Sequence, residues 1–159
     1  MRRITIERFG IYGSTVSDVY LDTAAIDGAR VWLAKGRTSA DEPQWRVDLL
    51  VGEQEFCVHR TFAKSAAALA AVERYLSGPT VQVLTEANRF VVLRRQDVVG
   101  YEVLSQRAHD DEITYVVRFY TRRDIVYSAR VFATAEEARE YAITLLKDEP
   151  EVHGYEGTD

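Results

Sequence analysis

His109-Asp110-Asp111-Glu112 is the densest set of groups in the chain that could hold a divalent cation, with carboxylates and an imidazole inside four residues. The matching stretch of the first half, Ser39-Ala40-Asp41-Glu42, lacks the histidine and one acid. Asp-Glu leading into a strand in both places reads as a turn with solvated acids. His59 and His153 are isolated, and no pair of ligands has the one-turn spacing of a zinc site. No glycine-rich phosphate loop follows a strand, and there is no nucleophile elbow or zincin pattern. The expectation is a non-enzymatic protein with no catalytic residue, no metal ligand and no cofactor.

Cys57 is the single cysteine, which precludes an internal disulfide and points to a reducing compartment. It reads as a small, half-buried strand residue. The longest apolar run, Ala66 to Val72, is far too short for a bilayer, and no signal-like segment follows Arg2 and Arg3. A cytoplasmic protein without membrane contact is expected.

Arginine and aromatic residues are the remaining chemistry. Of 20 basic residues 17 are arginine, the side chain suited to bidentate contacts with carboxylate or phosphate; a GC-rich genome is the preferred explanation of the bias. Trp45, Arg94, Arg95, Tyr115, Arg118, Tyr120, Arg122 and Arg123 fall on or beside expected strands. Aromatics and arginine are enriched in protein interfaces, so these eight are the candidate partner-binding residues. The same basic and aromatic strand face of the second half, with Arg89 and Phe119, would also suit nucleic acid. Charge weighs against that alternative. Residues 1–77 carry 10 basic and 10 acidic side chains, residues 78–147 again 10 and 10, and the net charge of −5 sits in the last twelve residues. Nucleic-acid binders usually carry a clear basic excess.

The elements that must position these residues come in two similar halves. Slid by 70 positions without a gap, residues 27–76 match 97–146 at ten identities: Asp27, Arg37, Asp41, Glu42, Val47, Arg60, Phe62, Ala63, Ala68 and Leu76. Val47, Leu49 and Val51 alternate with Arg46 and Asp48, and Val117, Phe119 and Thr121 with Val116, Arg118 and Tyr120; each run predicts a strand. Gly52-Glu53-Gln54 and Arg122-Arg123-Asp124 predict the turns to returning strands that carry Arg60 and Phe62, or Arg130 and Phe132. Arg60 and Arg130, two residues before the matched rings, are expected to pair with Asp27/Asp97 or Asp41/Asp111; symmetry-related anion contacts are the alternative reading. Thr134-Ala135-Glu136-Glu137 is a capping box opening a helix, and Ser65 is the cap expected for its counterpart. Upstream, Arg8-Phe9-Gly10-Ile11-Tyr12 is aligned with Arg89-Phe90-Val91-Val92-Leu93, with further strands near 29–35 and 99–105.

The predicted fold is α+β: a tandem duplication of an antiparallel β-meander-plus-helix unit, ββββα twice, with both helices on one side of the sheet. Residues 1–77 form the first repeat, 78–80 the joint, 81–147 the second repeat packed on the first, and 148–159 an acidic, frayed tail. A size near 70 residues per half makes a lone core marginal, so the halves are expected to pack as one unit. The expected function is a protein-binding module, a homodimer being its simplest form. Its small size, arginine richness and lack of a visible active site look like phage or mobile-element inhibitors of host defence machinery.

Overall fold

The computed structural model describes residues 1–35 and 42–147; the first-half stretch through Asp41 and the acidic tail lie outside these. The chain runs β1 (Arg2–Gly10), β2 (Gly13–Leu21), β3 (Gly28–Ala34), β4 (Gln44–Val51), β5 (Gln54–Val58) and α1 (Ser65–Glu73). It continues with β6 (Thr80–Glu86), β7 (Arg89–Arg94), β8 (Val98–Arg107), β9 (Ile113–Thr121), β10 (Ile125–Tyr127) and α2 (Ala135–Leu146). It is therefore mostly antiparallel sheet with two helices. Five strands precede each helix, so the expected four-strand unit is corrected. The extra strands are β6 in the second half and, in the first, β2, a sheet edge whose Ser, Thr and Asp residues face solvent.

Seven strands pair in the order β2-β1-β5-β4-β3-β7-β6, and three in the order β10-β9-β8. The second group continues the first, since the Ala129 N–H beyond β10 donates to Leu84 O of β6 at 2.8 Å. His59 N–H donates to Thr5 O of β1 in the same way.

The register allows the expected 70-residue match of the two halves to be compared with the strands. Val47 opposes Val31 and Val117 opposes Val103; Gly28 opposes Leu50 and Gly100 opposes Tyr120. β9 thus lies 70 residues after β4, but β8 lies 72 after β3. The 3-10 turns Thr23–Ala25 and Arg95–Asp97 carry the same 72-residue step, so Asp27 and Asp97 do not occupy equivalent places. The alignment of Arg8–Tyr12 with Arg89–Leu93 is likewise corrected: the first stretch ends β1 and turns, whereas the second is β7, the returning strand of its hairpin.

β7 decides the layering. Phe90 and Val92 pack into the core that holds Ala68, Val72 and Leu76 of the α1 region, while Val91 and Leu93 pack with Ala138 and Ala142 of α2. Neighbouring strand residues point to opposite faces. The helices therefore cover opposite faces of the sheet, not one side as expected. The first core adds Ile4, Ile6, Val31, Val47 and Leu49, and the second Val81, Val83, Val117 and Phe119.

Local signals explain the ends of the elements. Thr134 accepts from Glu137 N–H at 3.1 Å, as the capping box predicts. Ser65 is the first helical residue rather than the cap; Lys64 precedes it without a side-chain cap bond. Gly78, at φ 81°, makes the joint before Pro79, a left-handed conformation that costs glycine nothing. Beyond β5 and β10 the chain bends and returns to the sheet as single bridges, Trp45 to Phe62 and Tyr115 to Phe132.

Candidate interaction surface

In each half the helix covers one sheet face, and among the described residues no helix covers the other. In the second half the uncovered face carries Glu102 and Leu104 of β8, Val116, Arg118 and Tyr120 of β9, and Ile125 and Tyr127 of β10. These residues are directly opposed in the ladders and so share a face. Arg118 is its hub. Nη2 lies 2.7 Å from Glu102 Oε1, Nη1 donates to Tyr127 Oη at 3.4 Å, and the guanidinium stacks 5.4 Å from the Tyr120 ring centre. Tyr120 Oη donates to the other Glu102 oxygen at 3.1 Å. The hydrogen bond to Tyr127, with Glu102 adding its charge, holds the Arg118 pKa above its ordinary value. The result is a fixed charge and two anchored rings, Tyr120 and Tyr127, beside Ile125; Ile125 and Tyr127 are 43% and 52% exposed.

The uncovered face of the first half is polar and internally paired. Glu7 accepts from Arg46 Nη2 at 2.9 Å and contacts His59 Nδ1 at 3.0 Å, and Trp32 Nε1 donates to Asp48 at 2.9 Å. Arg46 Nε also donates to Cys57 Sγ at 3.4 Å. Burial nevertheless pushes the Cys57 thiol up, so it stays protonated at neutral pH and is a poor nucleophile. The Glu7 carboxyl is held at about 2, below its ordinary 4.5; the His59 hydrogen bond is the main cause, working against burial, and Arg46 and Ser14 add to it.

A folded-state pKa below the unfolded value gives stability that is complete above about pH 4.5 and is lost as pH falls toward 2. Glu7→Gln is expected to cost about 1–3 kcal/mol at pH 7, since it leaves Arg46 with weaker acceptors. Urea unfolding at pH 7, 4 and 2.5 should show the gap to wild type closing at acid pH. A gap that stays constant would contradict this reading.

The sequence-derived candidates do not all converge. Arg118 and Tyr120 meet on the uncovered face. Trp45 packs against the first core, 6.1 Å from the Phe90 ring, and Tyr115 against the second. Arg94 is buried and donates to Thr23 O at 2.6 Å, clipping β7 to the turn after β2. Arg95 follows it in the next turn, with its N–H donating to Pro79 O. Arg122 and Arg123 line a groove of about 720 Å³ where the halves meet, over Leu50, Val91, Leu93 and Val126. They lie 3.9 Å from Asp97 and 3.7 Å from Asp27, so each has a carboxylate beside it. Glu102, which fixes both Arg118 and Tyr120, and Tyr127 were not among the candidates.

Arg60 stacks 4.8 Å from Phe62, and Arg130 stacks 5.4 Å from Phe132 and 4.9 Å from Tyr141. Among the described residues their contacts are rings, not Asp27, Asp97 or Asp111; Asp41, the other expected partner, lies outside the described residues. The His109 cluster is a turn: Asp111, at φ 61°, donates to Ala108 O, and Asp110 caps Glu112 N–H. Among the described residues no three His, Cys, Asp or Glu side chains gather as a metal site, and no helix is long and apolar enough to cross a membrane.

Comparison of the chain with protein-family models, with curated proteins and with solved structures gives no match.

Proposed function

We propose that the chain is a non-enzymatic protein-binding module, and that its contact surface is the uncovered face of the second half around Arg118, Tyr120 and Tyr127. One observation carries this. An arginine is held rigidly between a carboxylate and two tyrosines on an exposed sheet, flanked by apolar side chains that no helix covers. Pre-ordered aromatic and arginine groups lose little entropy on binding, and they are the residue types that dominate binding hot spots. The two halves, each five strands and a helix in the same order, fit copies of one building block. A cytoplasmic inhibitor of host defence machinery from a phage or mobile element suits this small, charge-balanced body. Nucleic acid is the less favoured partner, because Arg94 is buried and Arg118 is already neutralised.

The test compares capture from host lysate by wild type, Arg118→Glu, Tyr120→Ala and, as a control on α2, Glu140→Lys. Wild type and the control should retain the same protein; the two face variants should lose it by about tenfold or more, with unchanged melting curves. Equal capture by all four chains refutes the placement. Salt-sensitive oligonucleotide binding without protein capture would favour the nucleic-acid reading instead.

A further inference from the structure

The junction inside this chain shows how two of these sheets join. β3 ends the first half's order, and it pairs with β7, the returning strand of the second half's hairpin. The counterpart of β7 in the first half is β2. Each is followed at once by a 3-10 turn, and Val19 and Leu21 enter the first core as Val91 and Leu93 enter the second. The seam is therefore heterologous, joining two different edges of similar units. The corresponding edges left over are β8 and β2, the terminal strands of the whole array. They are 10 and 9 residues long, with neither proline nor lysine to protect them.

Gly28 marks the seam. A Cβ there would lie 2.7 Å from the Val92 carbonyl oxygen, so β7 can approach only because residue 28 has no side chain. Gly100 stands at the same place in β8, opposite Tyr120 as Gly28 is opposite Leu50. Among the described residues a Cβ at Gly100 meets nothing within 4 Å. The glycine that admits a neighbouring strand is present on β8, and among the described residues no strand pairs with its outer side.

We propose that β8 of one molecule pairs antiparallel with β2 of a second copy, in the register of the β3–β7 seam. Gly28 opposes Leu93 and Ala29 opposes Val92 in that seam. Carried over, Gly100 opposes the second copy's Leu21, and Tyr101 opposes the second copy's Tyr20, which is 63% exposed in the single chain. Each added copy presents a fresh β2 or β8, so assembly runs head to tail instead of closing as a two-fold dimer. The contact uses the backbone edge of β8, whose Glu102 and Leu104 side chains belong to the adjoining partner-binding face.

Two chains test it, one carrying Cys57→Ser with Tyr20→Cys and the other Cys57→Ser with Tyr101→Cys. Opposed strand positions lie within disulfide reach. Mixed under mild oxidation, the two should cross-link to each other, while each alone stays uncross-linked. In sedimentation equilibrium the wild-type mass should rise with concentration. Gly100→Val should stay monomeric with an unchanged melting curve, because the valine meets open space in one chain and backbone in the assembly. Wild type that remains monomeric into the millimolar range overturns the proposal. So does cross-linking within either variant alone, or association of Gly100→Val as strong as that of wild type.

Discussion

Replacing Phe119 by alanine is expected to destabilise the fold by about 3–5 kcal/mol, the usual range for a fully buried phenylalanine. Phe119 is 0% exposed and the largest fully buried side chain. It sits edge-on to Tyr141 of α2 at 6.5 Å, among Val117, Val126, Ala138 and Ala142. Two helical alanines beside it cannot grow to fill the vacated space, so the cavity persists and adds to the lost burial. The second core is the smaller of the two, which leaves less neighbouring packing to collapse inward. In a domain of this size the melting temperature should fall by roughly 6–20 °C. Urea unfolding should still show one transition, because β7 supplies alternate residues to both cores and ties them together. A loss below about 1 kcal/mol would mean that the second core is loosely packed. Two separate transitions would mean that the halves unfold independently.

The parts legible from sequence are those whose side chains obey a short period. Val117 and Phe119 alternate with Arg118 and Tyr120, and this alternation places one pair in the core and the other on the open face. Thr134 and Glu137 announce the start of α2 three residues apart. β2 was not legible because it is an edge: its order comes from pairing with β1 over its whole length, and its polar residues carry no burial pattern. The shift from 70 to 72 was hidden because an ungapped match absorbs two residues of difference between the β3–β4 and β8–β9 connections. It then pairs Asp27 with Asp97, although the register pairs Gly28 with Gly100. Glu102 carries no sequence signal of its own, since its link to Arg118 depends on the β8–β9 register. The placement of the helices on opposite faces depends on which edge of one half meets which edge of the other. That choice is made by long-range packing, on which local propensity is silent.

Gly28→Val is the sharpest test of that choice. At position 28 a Cβ would lie 2.7 Å from Val92 O and 3.3 Å from Leu93 Cδ2. The nearer atom is backbone, fixed in a ladder running from Gly28–Leu93 to Trp32–Arg89, so it cannot swing aside as a side chain would. Either the seam parts locally or β3 shifts, and both break hydrogen bonds and withdraw Val92 from the first core. Overpacking of this kind costs about 1–3 kcal/mol where side chains yield, and more is expected here because backbone must move. Gly28→Val should therefore lose about 3 kcal/mol or more in urea unfolding, whereas Gly100→Val, at the matching place in β8, should lie within about 0.5 kcal/mol of wild type. Amide exchange should rise along β3 and β7 in the first variant alone, since the seam is the structure it opens. Equal effects at the two glycines would show that the β3–β7 contact is not what confines residue 28, and the seam would then lose its role as the junction of the two halves.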